Sequence, residues 1–171
     1  MTVGKPIGSS AGFWPFFITI IGLMSENNIA AVILAAGRGT RMGSNLPKVL
    51  QPLAGKPMIG HVLDSVAKLE PELTVVVIAP DMDVVRSAVV PHQVVIQRDQ
   101  RGTADAVKAA RESLADFTEG TVLILYGDTP LIQSDTLKLM IEAREKGAAV
   151  VLSGFHPPNP NGYGRFIHNE K

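Results

Sequence analysis

The sequence contains no cysteine among its 171 residues. That excludes a disulfide framework, a thiolate nucleophile and a cysteine metal site, and it fits a reducing compartment. Histidine is nearly as scarce: His61, His92, His156 and His168 are scattered without ligand spacing, so structural or surface roles are expected. An excess of one charge is also lacking. Sixteen basic and sixteen acidic side chains cancel, leaving no global field to favour nucleic acid or an anionic membrane, so any polyanion must be recognised locally. No apolar run reaches the roughly 20 residues that span a bilayer, and there is no low-complexity linker or internal repeat. A cytoplasmic protein with no nucleic-acid or membrane partner is expected.

What is present suffices for one globular domain: 171 residues, 46% hydrophobic and 19% charged, can bury a real core. The segment Gly12 to Met24 (GFWPFFITIIGLM) is apolar and follows Lys5, but it contains Pro15 and lacks a small-x-small cleavage site. A membrane-associating or export segment is one reading. The preferred one sets residues 1–24 apart as an extension outside the fold, with the domain at 25–171 and Met24-Ser-Glu-Asn-Asn as a second start.

From Ile29 onward, short apolar β-branched runs alternate with amphipathic stretches, which predicts strand-helix units around a mostly parallel twisted sheet. Strands are expected at Ile29 to Leu34, Leu73 to Ile78, Val94 to Gln97, Thr121 to Leu125 and Ala149 to Gly154. Nearly every residue in them is apolar, as expected of strands covered by helices on both faces. Helices are expected at Ile59 to Leu69, Met82 to Val89, Thr103 to Ala115 and Ser134 to Lys146, the last with Ser134 as N-cap and Gly147 as its stop.

The segment Leu34-Ala-Ala-Gly-Arg-Gly-Thr-Arg-Met-Gly follows the first of these strands directly, so it lies at the carboxyl edge of the sheet, where open α/β sheets bind ligands. Gly37 and Gly39 let the backbone approach a ligand, and Arg38, Arg41 and Lys48 add positive charge. No Gly-Lys-Ser/Thr follows, so this is not a Walker loop, and the third glycine comes one residue too late for the dinucleotide fingerprint. Taken alone, the glycines fit a plain strand-closing turn as well as a phosphate cradle.

Downstream stand Leu46-Pro-Lys-Val-Leu, Leu53-Ala-Gly-Lys-Pro-Met and His61-Val-Leu-Asp. With the glycine-rich loop, Leu34 to Asp64 resembles the signature of sugar-phosphate nucleotidyltransferases, in particular the N-acetylglucosamine-1-phosphate uridyltransferase branch. Three further blocks follow in the family's order. Gln97-Arg-Asp-Gln-Arg-Gly-Thr-Ala-Asp-Ala resembles the uracil-reading turn, Tyr126-Gly-Asp-Thr-Pro-Leu-Ile the metal-binding strand end, and Asn161-Gly-Tyr-Gly-Arg the start of the sugar site. The resemblance covers Ile29 to Ile167. It implies the N-terminal, nucleotide-binding part of a Rossmann-like nucleotidyltransferase fold, incomplete at its C-terminus.

The implied reaction is attack by N-acetylglucosamine-1-phosphate on the α-phosphate of UTP, giving UDP-N-acetylglucosamine, a peptidoglycan precursor, and pyrophosphate. Because the nucleophile is already an anion, no side chain has to activate it, and the protein's task is alignment and charge neutralisation. The resemblance carries Arg41, Lys48 and Asp128 over as the catalytic set, with Asp128 as the magnesium ligand. Substrate contacts are implied at Leu34, Ala35, Ala36, Gly37, Gly39, Lys48, Gln97, Gln100, Gly102, Thr103, Tyr126, Gly127, Asp128 and Gly162. For Asp128 the alternative is an aspartate that merely caps its turn, and for Lys48 a solvated loop lysine. Asp105 departs from the pattern, which often has histidine there. A noncatalytic nucleotide-binding module, an inactive fragment, and an enzyme for another hexose-1-phosphate stay open as alternatives, as does a homo-oligomer for the full-length protein. Acetyltransfer has no support without hexapeptide repeats.

Overall fold

The computed structural model describes residues 28–37, 39, 43–159, 161 and 162, together with the backbone of residues 18–23. In chain order its elements are β1 (Ile18–Leu23), β2 (Ile29–Leu34), β3 (Pro52–Leu53), β4 (Lys56–Pro57), α1 (Met58–Ala67), β5 (Leu73–Ile78), α2 (Asp83–Ala88), β6 (Gln93–Ile96), α3 (Thr103–Ala109), β7 (Gly120–Tyr126), α4 (Ser134–Glu145) and β8 (Val150–Ser153). A single 3-10 turn at Lys48–Leu50 precedes the two-residue hairpin β3–β4.

Six strands form one sheet in the order β6-β5-β2-β7-β1-β8. The four strands β6, β5, β2 and β7 run parallel, as their largely apolar sequences predict. Side chains alternate across the sheet with the strand period of two. Ala31, Ile33, Val76, Ile78, Leu123 and Leu125 face one layer, where α1 contributes Ile59, Val62 and Val66, α2 contributes Val85, and α4 contributes Leu137, Met140 and Ile141. Val32, Leu34, Val75, Val77 and Ile124 face the other, covered by Ala106 and Ala110 from α3 and the turn that follows it. At β5, β2 and β7 both faces are therefore covered, among the described residues by three helices on one side and a single helix on the other.

The chain leaves β2 toward β5 on one side and returns through α3 to β7 on the other, so the strand order reverses at β2. The connections diverge there, and a crevice opens at the carboxyl ends of β2 and β7.

The expectation that residues 1–24 stand outside the fold does not hold for Ile18–Leu23. This segment is strand β1, antiparallel to both β7 and β8, with Thr19 opposite Ile124 and Leu152. Six residues are short for a bilayer but ordinary for a strand, and the run Ile-Thr-Ile-Ile is β-branched. Its pairing satisfies backbone groups along β7 that an open edge would leave unpaired.

The helix ends also differ from expectation, with the N-cap of α4 and the end of α3 the most informative. Gln133, extended and without a side-chain capping hydrogen bond, is the N-cap of α4, and Ser134 is its buried first helical residue. Helix α3 ends at Ala109 because the chain then mixes bonds such as Ala110 N–H to Val107 O (3.1 Å) with Leu114 N–H to Ala110 O (3.2 Å), tightening into turns. Gly147 closes α4 at φ +102°, a value that favours glycine.

Candidate active site

A cavity of about 400 Å³ occupies the crevice at the carboxyl ends of β2, β6 and β7. Leu34, Ala36, Gly37 and Gly39 line it from the end of β2 and the loop that follows, and Lys48 and Val49 from the 3-10 turn. Gln97, Gln100 and Gly102 reach it from the turn after β6, Thr103 and Ala106 from α3, and Tyr126 and Asp128 from the end of β7. Val49 and Ala106 are the two wall residues that sequence reasoning missed; as small apolar side chains inside a core pattern they carry no distinguishing signal. Arg41 lies outside the described residues.

The ladder continues past the strand ends and fixes the floor of this cavity. Ala35 N–H donates to Val77 O at 2.8 Å, Gly127 N–H to Leu34 O at 2.9 Å, and Gln97 N–H to Ile78 O at 2.8 Å. Ala35 and Gly127 are thereby drawn into the sheet and do not line the wall. At Gly127 an added Cβ would stand 3.2 Å from Val49 Cγ1 and 3.4 Å from Ile59 Cδ1, so this glycine serves packing rather than ligand approach. Gly162 lies in an exposed turn at φ +84° and is not part of the wall either.

Lys48 opens the 3-10 turn, which Leu50 N–H to Pro47 O (2.9 Å) holds closed. Gly39 crosses directly over it: at φ +64°, its missing Cβ would fall 2.6 Å from Lys48 Cβ. From this seat Lys48 Nζ donates to Asp128 Oδ2 at 2.6 Å. The turn after β7 is held by Thr129, whose Oγ1 donates to Tyr126 O at 2.7 Å. Thr129, not Asp128, takes the capping role, which leaves the Asp128 carboxylate for the lysine and the cavity.

At the opposite end Gln97, only 5% exposed, donates through Nε2 to Gly102 O (3.1 Å) and to Asp105 Oδ2 (2.8 Å). Arg101 N–H donates to the same carboxylate oxygen at 3.2 Å. The Gln97 hydrogen bond, helped by the Arg101 N–H, holds the Asp105 carboxyl below the ordinary aspartate range. A depressed carboxylate pKa adds stability above the ordinary range and loses it only as pH falls, so Asp105 stays charged through neutral pH. The turn needs Gly102 at φ +105°, ψ −170°, a region closed to other residues. Thr103 Oγ1 and Tyr126 OH, 3.1 Å apart, tie α3 to β7 across the wall.

No group of three or more His, Asp or Glu gathers among the described residues. Asp128, a lone carboxylate beside a cavity, is therefore a poor closed structural metal site. It suits a hard divalent cation that draws its remaining ligands from phosphate and water. No helix among the described residues is long and apolar enough to cross a membrane.

The architecture is similar to that of Rv0371c from Mycobacterium tuberculosis H37Rv, at 27% identity and a TM-score of 0.57 over 72% of this chain and 63% of that one. A complex of Rv0371c with manganese shares the fold at 24% identity, with a TM-score of 0.54 over 70% and 60% of the two chains. A nucleotidyl transferase from Methanothermobacter thermautotroptrophicus is similar at 26% identity and a TM-score of 0.53, over 68% and 57%. In sequence the chain is 56% identical over 140 residues to the bifunctional protein GlmU of Rhodospirillum rubrum, covering 81% of this chain and 31% of that protein. It is 49% identical over 146 residues to that of Paramagnetospirillum magneticum, covering 84% and 32%. The chain thus spans about a third of the length of these relatives. The MobA-like NTP transferase domain matches residues 31–166, a span that holds every wall residue of the cavity, and the chain belongs to this nucleotidyltransferase family.

Proposed function

We propose that this chain forms the UTP-binding part of a sugar-1-phosphate uridylyltransferase that makes UDP-N-acetylglucosamine and pyrophosphate from UTP and N-acetylglucosamine-1-phosphate. The observation that carries the reading is one cavity with the Gln97 amide at one end and the Lys48–Asp128 pair at the other. A nucleobase and a triphosphate differ in just this way: one needs directional hydrogen bonds, the other charge.

The uracil edge presents a donor flanked by acceptors, which the Gln97 side chain and the backbone at Gly102 meet, while Leu34, Ala36 and Ala106 supply an apolar slot for the ring. The backbone N–H groups of Gly37 and Gly39 would meet the phosphates, and Lys48 neutralises the charge that builds on the α-phosphate as the sugar-phosphate oxygen attacks in line. Arg41 adds a second cation on the strength of the sequence resemblance. Asp128 would hold magnesium, which supplies further charge neutralisation at the phosphates when bound. The turn at Gly162 marks the approach to the sugar. A cytoplasmic setting, where UTP and sugar phosphates meet, accords with this reading.

Calorimetric titration with UTP, CTP and GTP, with and without magnesium, tests base, charge and metal together. UTP should bind most tightly and gain affinity from magnesium. Equal binding of the three nucleotides would reject the uridine assignment, and no nucleotide binding would reject the site. Pyrophosphate release assayed across several sugar phosphates would identify the second substrate.

A further inference from the structure

We infer that Asp105 is a positioning residue that fixes the side-chain amide of Gln97 with its oxygen toward the base end of the cavity. The inference rests on the uridine reading and refines how that base is selected. Glutamine carries both donors and an acceptor, and free rotation would let it present either to a ligand. Here both neighbours of the amide nitrogen, Gly102 O at 3.1 Å and Asp105 Oδ2 at 2.8 Å, are pure acceptors. A flipped amide would set its oxygen against a carbonyl and a carboxylate, so only one orientation is tolerated. Both N–H groups are then consumed within the protein, and Oε1, to which no described residue donates, is left for a ligand in the cavity that Gln97 lines.

Asp105 is itself held in place. Arg101 N–H donates to the same Oδ2 at 3.2 Å, and the residue sits in the first turn of α3 beside the buried Ala106. The Gly102 N–H takes part in no hydrogen bond among the described residues. An acceptor from Gln97 next to a donor from Gly102 matches the N3–H and O4 of uracil. Cytosine in the same pose offers an acceptor and a donor in the reverse order, mismatching both. An acceptor at position 105 therefore sets the choice between the two pyrimidines without touching either.

The test is titration of the whole chain and its Asp105→Ala and Asp105→Asn variants with UTP, CTP and inorganic tripolyphosphate. In Asp105→Ala the preference for UTP over CTP should fall about tenfold, the worth of one hydrogen bond that fixes a buried amide. In Asp105→Asn it should stay within about twofold of the parent, because an amide oxygen accepts the same two N–H groups. Tripolyphosphate affinity should be equal in all three, which a general structural defect would not allow. If Asp105→Ala does not unfold cooperatively, Asp105→Ser replaces it, since its hydroxyl is too short to reach Gln97. A parent preference that survives in the alanine or serine variant overturns the positioning role alone, as does an asparagine variant that loses it. A parent chain without preference overturns the uridine reading itself.

Discussion

Lys48 Nζ and Asp128 Oδ2 stand 2.6 Å apart although 80 residues separate them in the chain. The lysine belongs to the loop after β2 and the aspartate to the end of β7, so parallel pairing of these two strands is what brings the groups together. With side-chain exposures of 37% and 24%, the pair is too open to water to matter much for folding. Partly exposed ion pairs are worth about 0–1 kcal/mol. On the proposed reading its value lies in the site: it holds a cation and an anion side by side, and a triphosphate with its metal would use one each.

Asp128→Asn removes the anion while keeping the shape. The expected outcome is loss of the magnesium-dependent gain in UTP affinity, while metal-free binding holds or improves because Lys48 no longer has a competing carboxylate. Titrations of UTP with and without magnesium measure this. A magnesium response equal to that of the parent would remove Asp128 from the metal site.

Lys48→Ala should weaken UTP binding about tenfold or more, in the range of a lost charge-assisted hydrogen bond, and leave uridine binding nearly unchanged. The comparison separates phosphate contact from general damage. Equal losses for the two ligands would show that Lys48 acts on the shape of the cavity and not on its charge.

Gly39→Ala attacks the same lysine from behind. The residue lies at φ +64°, and its new Cβ would sit 2.6 Å from Lys48 Cβ, so the backbone strain, about 1–2 kcal/mol, comes with a push on the lysine. Urea unfolding should show the lost stability and UTP titration the displaced cation. Gly37→Ala is the control, because no atom of the described residues lies within 4 Å of its Cβ position. It should unfold like the parent and affect ligand binding alone.

These residues also show what the amino-acid pattern could and could not reveal. The four parallel strands were legible because each is a mostly apolar, β-branched run, and such runs are stable only between two covering layers. The loop glycines, Lys48, Gln97 and Asp128 were legible as motifs, and the structure gathers them around one cavity. Hidden were the partnerships. Nothing in the pattern tells that Gly39 makes room for Lys48, that Gly127 packs against Val49, or that Asp105 holds Gln97, because each depends on which loops the sheet order places side by side. The fate of Ile18–Leu23 was hidden for the same reason: a β-branched run declares that it can form a strand but not which strands it pairs with.

Strand β1 supplies the last prediction. It separates β7 from β8 and pairs with both, Ile21 standing opposite Val122 on one side and Val150 on the other. Deleting residues 1–23 would uncover an edge of β7, strip β8 of its partner, and leave two rows of backbone donors and acceptors open to pairing with other chains. The shortened protein should therefore unfold at a lower temperature and self-associate on a sizing column. A single Ile20→Pro exchange should do the same more mildly, since proline removes a ladder donor from a strand paired on both sides. UTP binding should survive in the folded fraction, because the described wall of the cavity comes from the ends of β2, β6 and β7, from α3 and from the 3-10 turn. A shortened chain as stable and as monodisperse as the parent would show that the sheet closes without this strand and that residues 1–23 are an appendage after all.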